Sequence, residues 1–239
     1  MLPTVVGVRV MAPPALRLFC VHGYRQDEKS FRERTGSLRK ALRKRAELLY
    51  VSSPLRVPPP GGPAQPSAAA GDGIQAGETE ENARGWWFSN PGEESFNALD
   101  HVETCKGLEE SLETVSKAMV ELGPFDGIMG FSQGAALVSM ICALKQQGDS
   151  RFQFDFAILI AGFRSRCKLH ERFYEEPIAL PSLHVFGDTD RVIPGAMSQE
   201  LSTLFMDPVI LTHPGGHFVP ASAPQKKVYL EFLERFQKK

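Results

Sequence analysis

The sequence is short of long apolar runs, of charge imbalance and of paired cysteines, and each shortage removes a class of function. No apolar run approaches the ~18 residues that span a bilayer, so no transmembrane helix is expected. The 27 basic and 28 acidic residues leave a formal net charge of -1, which creates no overall field to gather nucleic acid or an anionic membrane. Small molecules are the expected partners. The four cysteines, Cys20, Cys105, Cys142 and Cys167, lie far apart without CxxC spacing, and neither a disulfide framework nor a zinc site is suggested. No pair among His22, His101, His170 and His184 has metal-ligand spacing.

What is present suffices for one large core: 239 residues, 42% of them hydrophobic, are expected to form a single domain over 16–239 behind an N-terminal tail of 1–15. Arg9, Arg17 and Arg25 without an acid in the first 26 residues resemble a mitochondrial targeting segment. Pro3, Pro13 and Pro14 would interrupt its amphipathic helix, so a cytoplasmic protein is expected. Leu16 to Val21 reads as a buried strand ending at His22-Gly23. Residues 30–45 read as a helix with Leu38 and Leu42 inside and Arg39, Lys40, Arg43, Lys44 and Arg45 on a solvated face. A strand follows at Glu47 to Val51. Residues 53–83, rich in Pro, Gly and Ala, read as a mobile insertion without core-forming side chains.

Farther on, Leu108, Leu112, Val115, Met119 and Leu122 recur at helical spacing, so 107–122 is an amphipathic helix ended by Gly123-Pro124. Strands at 125–131, 154–161, 182–187 and 208–212 alternate with helices at 133–147 and near 195–205. Tyr229, Phe232, Leu233 and Phe236 mark the inner face of a last helix. Such alternation implies an α/β fold, a mostly parallel central sheet with helices on both faces and functional groups at the carboxyl ends of its strands.

Gly130-Phe131-Ser132-Gln133-Gly134 lies between a predicted strand and a predicted helix, the context of a nucleophile elbow. The turn is too tight for flanking side chains, and it aims the serine Oγ at free helix N–H groups that favour negative charge. A serine hydroxyl needs a base, and the base needs a carboxylate to hold its tautomer. In this fold the order along the chain is Ser, acid, His. Asp188 and Asp190 follow the strand Leu183 to Phe186 and compete for the acid role. His213 and His217 compete for the base; Gly215-Gly216 gives His217 a flexible reach toward the serine, and it is preferred. His22, His101, His170 and His184 read as structural or surface residues. The amides of Gln133 and Tyr24 are the expected oxyanion donors.

Together with Arg84-Gly85-Trp86-Trp87, His184 to Asp190 and Gly215-Gly216-His217-Phe218, these segments resemble the FSH-type serine hydrolases from about Leu16 to the C-terminus. That resemblance implies an α/β-hydrolase fold, esterase activity without a cofactor or metal, and Ser132, Asp190 and His217 as nucleophile, acid and base. Trp86, Trp87 and Phe88 are either core aromatics or a pocket wall. If they line the site with Phe131 and Phe163, the substrate-binding residues would be Trp86, Trp87, Phe131 and Phe163. The expected reaction is then acyl-enzyme cleavage of carboxylic esters, with medium or long alkyl chains favoured because each buried methylene adds up to ~0.8 kcal/mol. An acyl thioesterase is the alternative within the same chemistry. A hydrolase-like module that binds without turnover is the alternative outside it.

Overall fold

The computed structural model describes residues 15–59 and 82–237. The expected N-terminal tail and the greater part of the expected insertion therefore lie outside the described residues. Six strands form the central sheet: β1 (Leu16–Val21), β2 (Ala46–Val51), β5 (Gly127–Phe131), β6 (Phe156–Ile160), β7 (Ser182–Gly187) and β8 (Val209–His213). They run in the order β2-β1-β5-β6-β7-β8, and every neighbouring pair is parallel.

Side chains alternate across β1 as strand geometry requires. Phe19 and Val21 join one core layer with α3 (Leu108–Leu122), α4 (Gln133–Gln146) and α5 (Gly195–Ser202). Leu18 and Cys20 join the other, with α1 (Glu28–Arg34), α2 (Gly36–Leu42) and α6 (Ala223–Glu234). The chain steps outward from β1 to β2, then returns to build β5 to β8 on the opposite side of β1. The reversal leaves a crevice between the carboxyl ends of β1 and β5, the place where ligands bind in open parallel sheets.

Two expectations need correction. The helix predicted over 30–45 is two helices, because the buried Thr35 hydroxyl donates to the Phe31 carbonyl at 2.8 Å and pairs with the Tyr50 hydroxyl at 2.6 Å, and a side chain that bonds its own backbone in this way competes with helix continuation. The ends of the Pro/Gly/Ala-rich segment are ordered. A two-stranded ribbon pairs β3 (Leu55–Arg56) with β4 (Arg84–Gly85), and Leu55, Val57, Ala83 and Phe88 form a small buried cluster. Three scattered apolar residues carry no periodicity, so the cluster was illegible until the two ends met.

Two of the cysteines meet despite their distant positions in sequence. Separated by 62 positions, Cys105 and Cys167 bring their sulfurs to 2.8 Å, whereas Cys20 and Cys142 are buried as small apolar groups.

Candidate active site

Ser132 sits at the turn between β5 and α4 with φ 55° and ψ -120°, a region that costs an L-residue on the order of 1–3 kcal/mol. Two glycines permit the turn. A Cβ at Gly130 would lie 2.5 Å from the Gly134 carbonyl oxygen, and one at Gly134 would lie 2.3 Å from the His22 carbonyl oxygen. The serine N–H donates to Ile160 of the neighbouring β6 at 2.8 Å, so the strained residue is held by the sheet.

His217 Nε2 lies 3.1 Å from Ser132 Oγ, and its Nδ1 lies 2.7 Å from Asp190 Oδ2. With the proton on Nδ1 donated to the carboxylate, Nε2 faces the serine as an acceptor. Asp190 Oδ1 in turn accepts from the Val192 and Ile193 N–H groups at 2.8 and 2.9 Å. Its side chain is fully buried, while Asp188 is exposed. His213 is buried against Phe218, and burial lowers its pKa.

The loops that carry Asp190 and His217 are tied to each other rather than flexible. Asp188 N–H donates to His213 O at 2.8 Å and Thr189 N–H to Gly215 O at 3.2 Å. A Cβ at Gly187 would stand 2.2 Å from the Gly215 carbonyl oxygen. Gly187 thus serves close backbone approach, and Gly215 makes room for the Phe218 ring, whose Cε1 would lie 2.4 Å from a Cβ there.

Of the two expected oxyanion donors, Gln133 directly follows the serine, and Tyr24 lies on the loop after the neighbouring strand β1. Gln133 opens α4, so its N–H has no intrahelical acceptor. Tyr24 follows β1, and among the described residues its N–H makes no hydrogen bond. The loop that carries Tyr24 is fixed from below. His22 Nε2 accepts from Ser53 N–H at 3.0 Å, the Trp86 indole N–H donates to His22 O at 2.8 Å, and burial holds the His22 imidazole neutral, its pKa pushed down to about 4.

The Gln133 side chain is a feature beside the site that sequence reasoning missed. It is fully buried, accepts from the Trp86 N–H at 2.9 Å and donates to the Trp87 carbonyl at 2.8 Å. The only sequence signal was a polar residue opening a helix that is otherwise apolar. The aromatic wall needs correction in the same way. Trp86, Trp87 and Phe163 are all at most 1% exposed, so they are core. Phe131 backs the His217 ring at 4.7 Å between centroids. Apolar surface is offered by the half-buried Phe96 and Tyr24 and, next to His217, by the exposed Phe218; Phe96 packs on Tyr24, Trp87 and Phe163. Surface clefts beside Glu109 and Arg172, and beside Asn90 and His101, include no triad residue.

A family model described as serine hydrolase (FSH1) matches residues 11–229. The chain belongs to the FSH1 serine hydrolase family. Among relatives of this FSH1 hydrolase, Esterase OVCA2 of Xenopus tropicalis is 62% identical over 92% of this chain and 93% of that protein. Esterase OVCA2 of Homo sapiens is 51% identical over 92% and 96%. Of solved structures, Arabidopsis thaliana SOBER1 superposes with a TM-score of 0.60 at 17% identity, covering 93% of this chain and 99% of that one. Zea mays acyl-protein thioesterase 2 gives 0.58 at 16%, covering 95% and 97%. These two likenesses show the α/β-hydrolase fold. Among the described residues of this FSH1 hydrolase, no helix is long and apolar enough to cross a membrane.

Proposed function

We propose that this FSH1-family hydrolase cleaves carboxylic esters through an acyl-enzyme formed on Ser132. The observation that carries the reading is the unbroken hydrogen-bonded chain from buried Asp190 through His217 to a serine on a strained elbow. Ser132 Oγ attacks the ester carbonyl carbon as His217 Nε2 takes its proton. Asp190 holds the imidazole and stabilises its charge. The amides of Gln133 and Tyr24 receive the oxyanion. Collapse expels the alcohol, which takes the proton from His217, and a water activated by the same nitrogen then releases the acid. The relatives named esterases support the ester bond as the target.

The favoured esters carry medium or long straight alkyl chains. Phe96 and Tyr24 support this reading, because they offer apolar area at the edge of the sheet where Ser132 lies. The test is labelling with a fluorophosphonate probe together with hydrolysis of ester and thioester panels, on wild type and Ser132→Ala. Covalent labelling and turnover should both vanish in the variant, with kcat falling by several orders of magnitude. Retention of more than about a tenth of the activity, against that loss, sinks the assignment. Probe-reactive protein that turns over thioesters but not esters would keep the triad and reject the ester.

A further inference from the structure

Away from the triad, two cysteines and a histidine gather in mutual contact: Cys105, Cys167 and His170. Their sequence positions give no hint of it, and the hydrolytic reaction uses none of them. The backbone builds the meeting. Val102 N–H donates to Arg166 O at 3.2 Å and Lys168 N–H to Val102 O at 2.9 Å, which lays the segment before Cys105 beside Cys167. Immediately after Cys105, Lys106 and Phe88 exchange hydrogen bonds of 2.9 and 3.1 Å. Cys105 therefore sits between two backbone bridges, with little freedom to move away from its partner.

The side chains are arranged unequally. Cys105 is half-buried, whereas Cys167 is 3% exposed and His170 1%. Cys105 Sγ lies 2.8 Å from Cys167 Sγ and 3.0 Å from His170 Nε2. His170 Nδ1 lies 2.7 Å from Ser165 Oγ. A proton on Nδ1 donated to Ser165 leaves the Nε2 lone pair facing the Cys105 thiol. Two sulfurs on one tetrahedral zinc, each about 2.3 Å from it, would stand roughly 3.8 Å apart. The observed spacing is much closer and fits thiols poised to bond to each other.

We infer that Cys105 and Cys167 are a thiol–disulfide exchange site in which Cys105 attacks, His170 takes its proton and Cys167 resolves. The oxidant is a low-molecular-weight disulfide. Cys105 sulfur attacks one sulfur of R–S–S–R as its proton passes to His170 Nε2, which forms Cys105–S–S–R and releases RS⁻. Cys167 sulfur then displaces the second RS⁻ from Cys105 and the protein disulfide closes. The two protons lost by the cysteines leave on two RSH, and the two electrons lost by the protein reduce R–S–S–R. Burial raises the Cys105 thiol pKa, so little thiolate stands at rest and the proton leaves as the sulfur attacks. Burial also pushes His170 down to about 4, which leaves its Nε2 unprotonated at rest but makes it a weak base.

Closure would fasten the segment that leads from Phe96 into α3 onto the connection between β6 and β7. Crosslinks over long loops restrict the unfolded chain most, so the oxidised protein should melt at a higher temperature than the reduced one.

Fully reduced protein incubated with excess oxidised glutathione, acid-quenched, denatured and alkylated gives the test by intact mass and peptide mapping. Wild type should lose two alkylatable thiols, with Cys105 and Cys167 recovered in one crosslinked peptide pair that reductant separates, while Cys20 and Cys142 stay alkylatable. Cys167→Ser should accumulate glutathione on Cys105, and His170→Gln should slow oxidation at least severalfold. The wild-type measurement needs no variant to fold. Cys105 and Cys167 both still alkylatable at equilibrium, so that all four thiols remain, or a stable glutathione adduct on wild-type Cys105, would overturn the inference. So would one bound zinc that shields both cysteines and is lost in His170→Gln, since that outcome marks a metal centre.

Discussion

Gln133 holds Trp86 in place: the side-chain amide beside the proposed nucleophile accepts the Trp86 N–H at 2.9 Å while its NH2 donates to Trp87 O at 2.8 Å. One residue therefore carries the proposed oxyanion N–H and fixes the segment that contains Trp86 and Trp87. Trp86 is secured a second way, since its carbonyl accepts from Ser111 on α3 at 2.6 Å.

Gln133→Ala should therefore cost both stability and rate. It leaves a buried N–H and a buried carbonyl without partners, each worth about 1–3 kcal/mol. We expect a lower Tm, and kcat reduced about tenfold or more as the oxyanion amide loses its support. Unchanged kcat in a variant that has lost stability would show that the clamp serves the fold alone.

Asp190→Asn and Asp188→Asn separate the two acids. Asp190 is buried and touches His217, whereas Asp188 is exposed and engages the His213 carbonyl through its backbone alone. The first substitution should lower kcat by on the order of 10⁴, as loss of the orienting carboxylate does in other triads, and the second by little. Steady-state kinetics with both variants decides it, and a reversed order would move the acid role to Asp188.

Phe96→Ala tests the chain-length reading. Because Trp86 and Trp87 are core, truncating them would unfold the protein before it informed on substrate. Phe96 is half-buried, so its removal should lower kcat/KM for an octanoyl or longer ester more than for an acetyl ester. Per methylene the effect is at most ~0.8 kcal/mol. A wild-type preference for acetyl esters would refute the apolar surface as a chain site and leave the triad untouched.

Stability should fall with acidity in a defined window. Burial pushes His22 and His170 down to about 4 and His184 to about 3, against about 6.5 in an unfolded chain. Between those values the unfolded state binds protons that the folded state refuses, so the stabilisation is complete above about pH 6.5 and is lost as pH falls toward 4. Each such group contributes about 1 kcal/mol per pH unit within the window. Denaturant unfolding at pH 7, 6 and 5 measures the slope, which should be shallower in His184→Gln. A protein equally stable at pH 5 and pH 7 would show that these histidines are charged inside the fold.

The sequence by itself determined the parallel α/β layout, the elbow and the chain order of a serine, an acid and a histidine. Each of those is written in local terms: hydrophobic periodicity, two glycines flanking a serine, and loops that follow apolar strands. Only the tertiary structure decided which of two neighbouring groups meets the histidine. Asp188 and Asp190 are chemically alike and two residues apart, and it is the fold that buries one against His217 and exposes the other. The same holds for the aromatics, since a tryptophan beside a loop reads identically whether the fold covers it, as it covers Trp86 and Trp87, or leaves Phe96 at the surface. Contacts across long separations were least legible. Cys105 meets Cys167, and Gln133 reaches Trp86, because backbone bridges and sheet order bring distant segments together, and no local pattern encodes that approach.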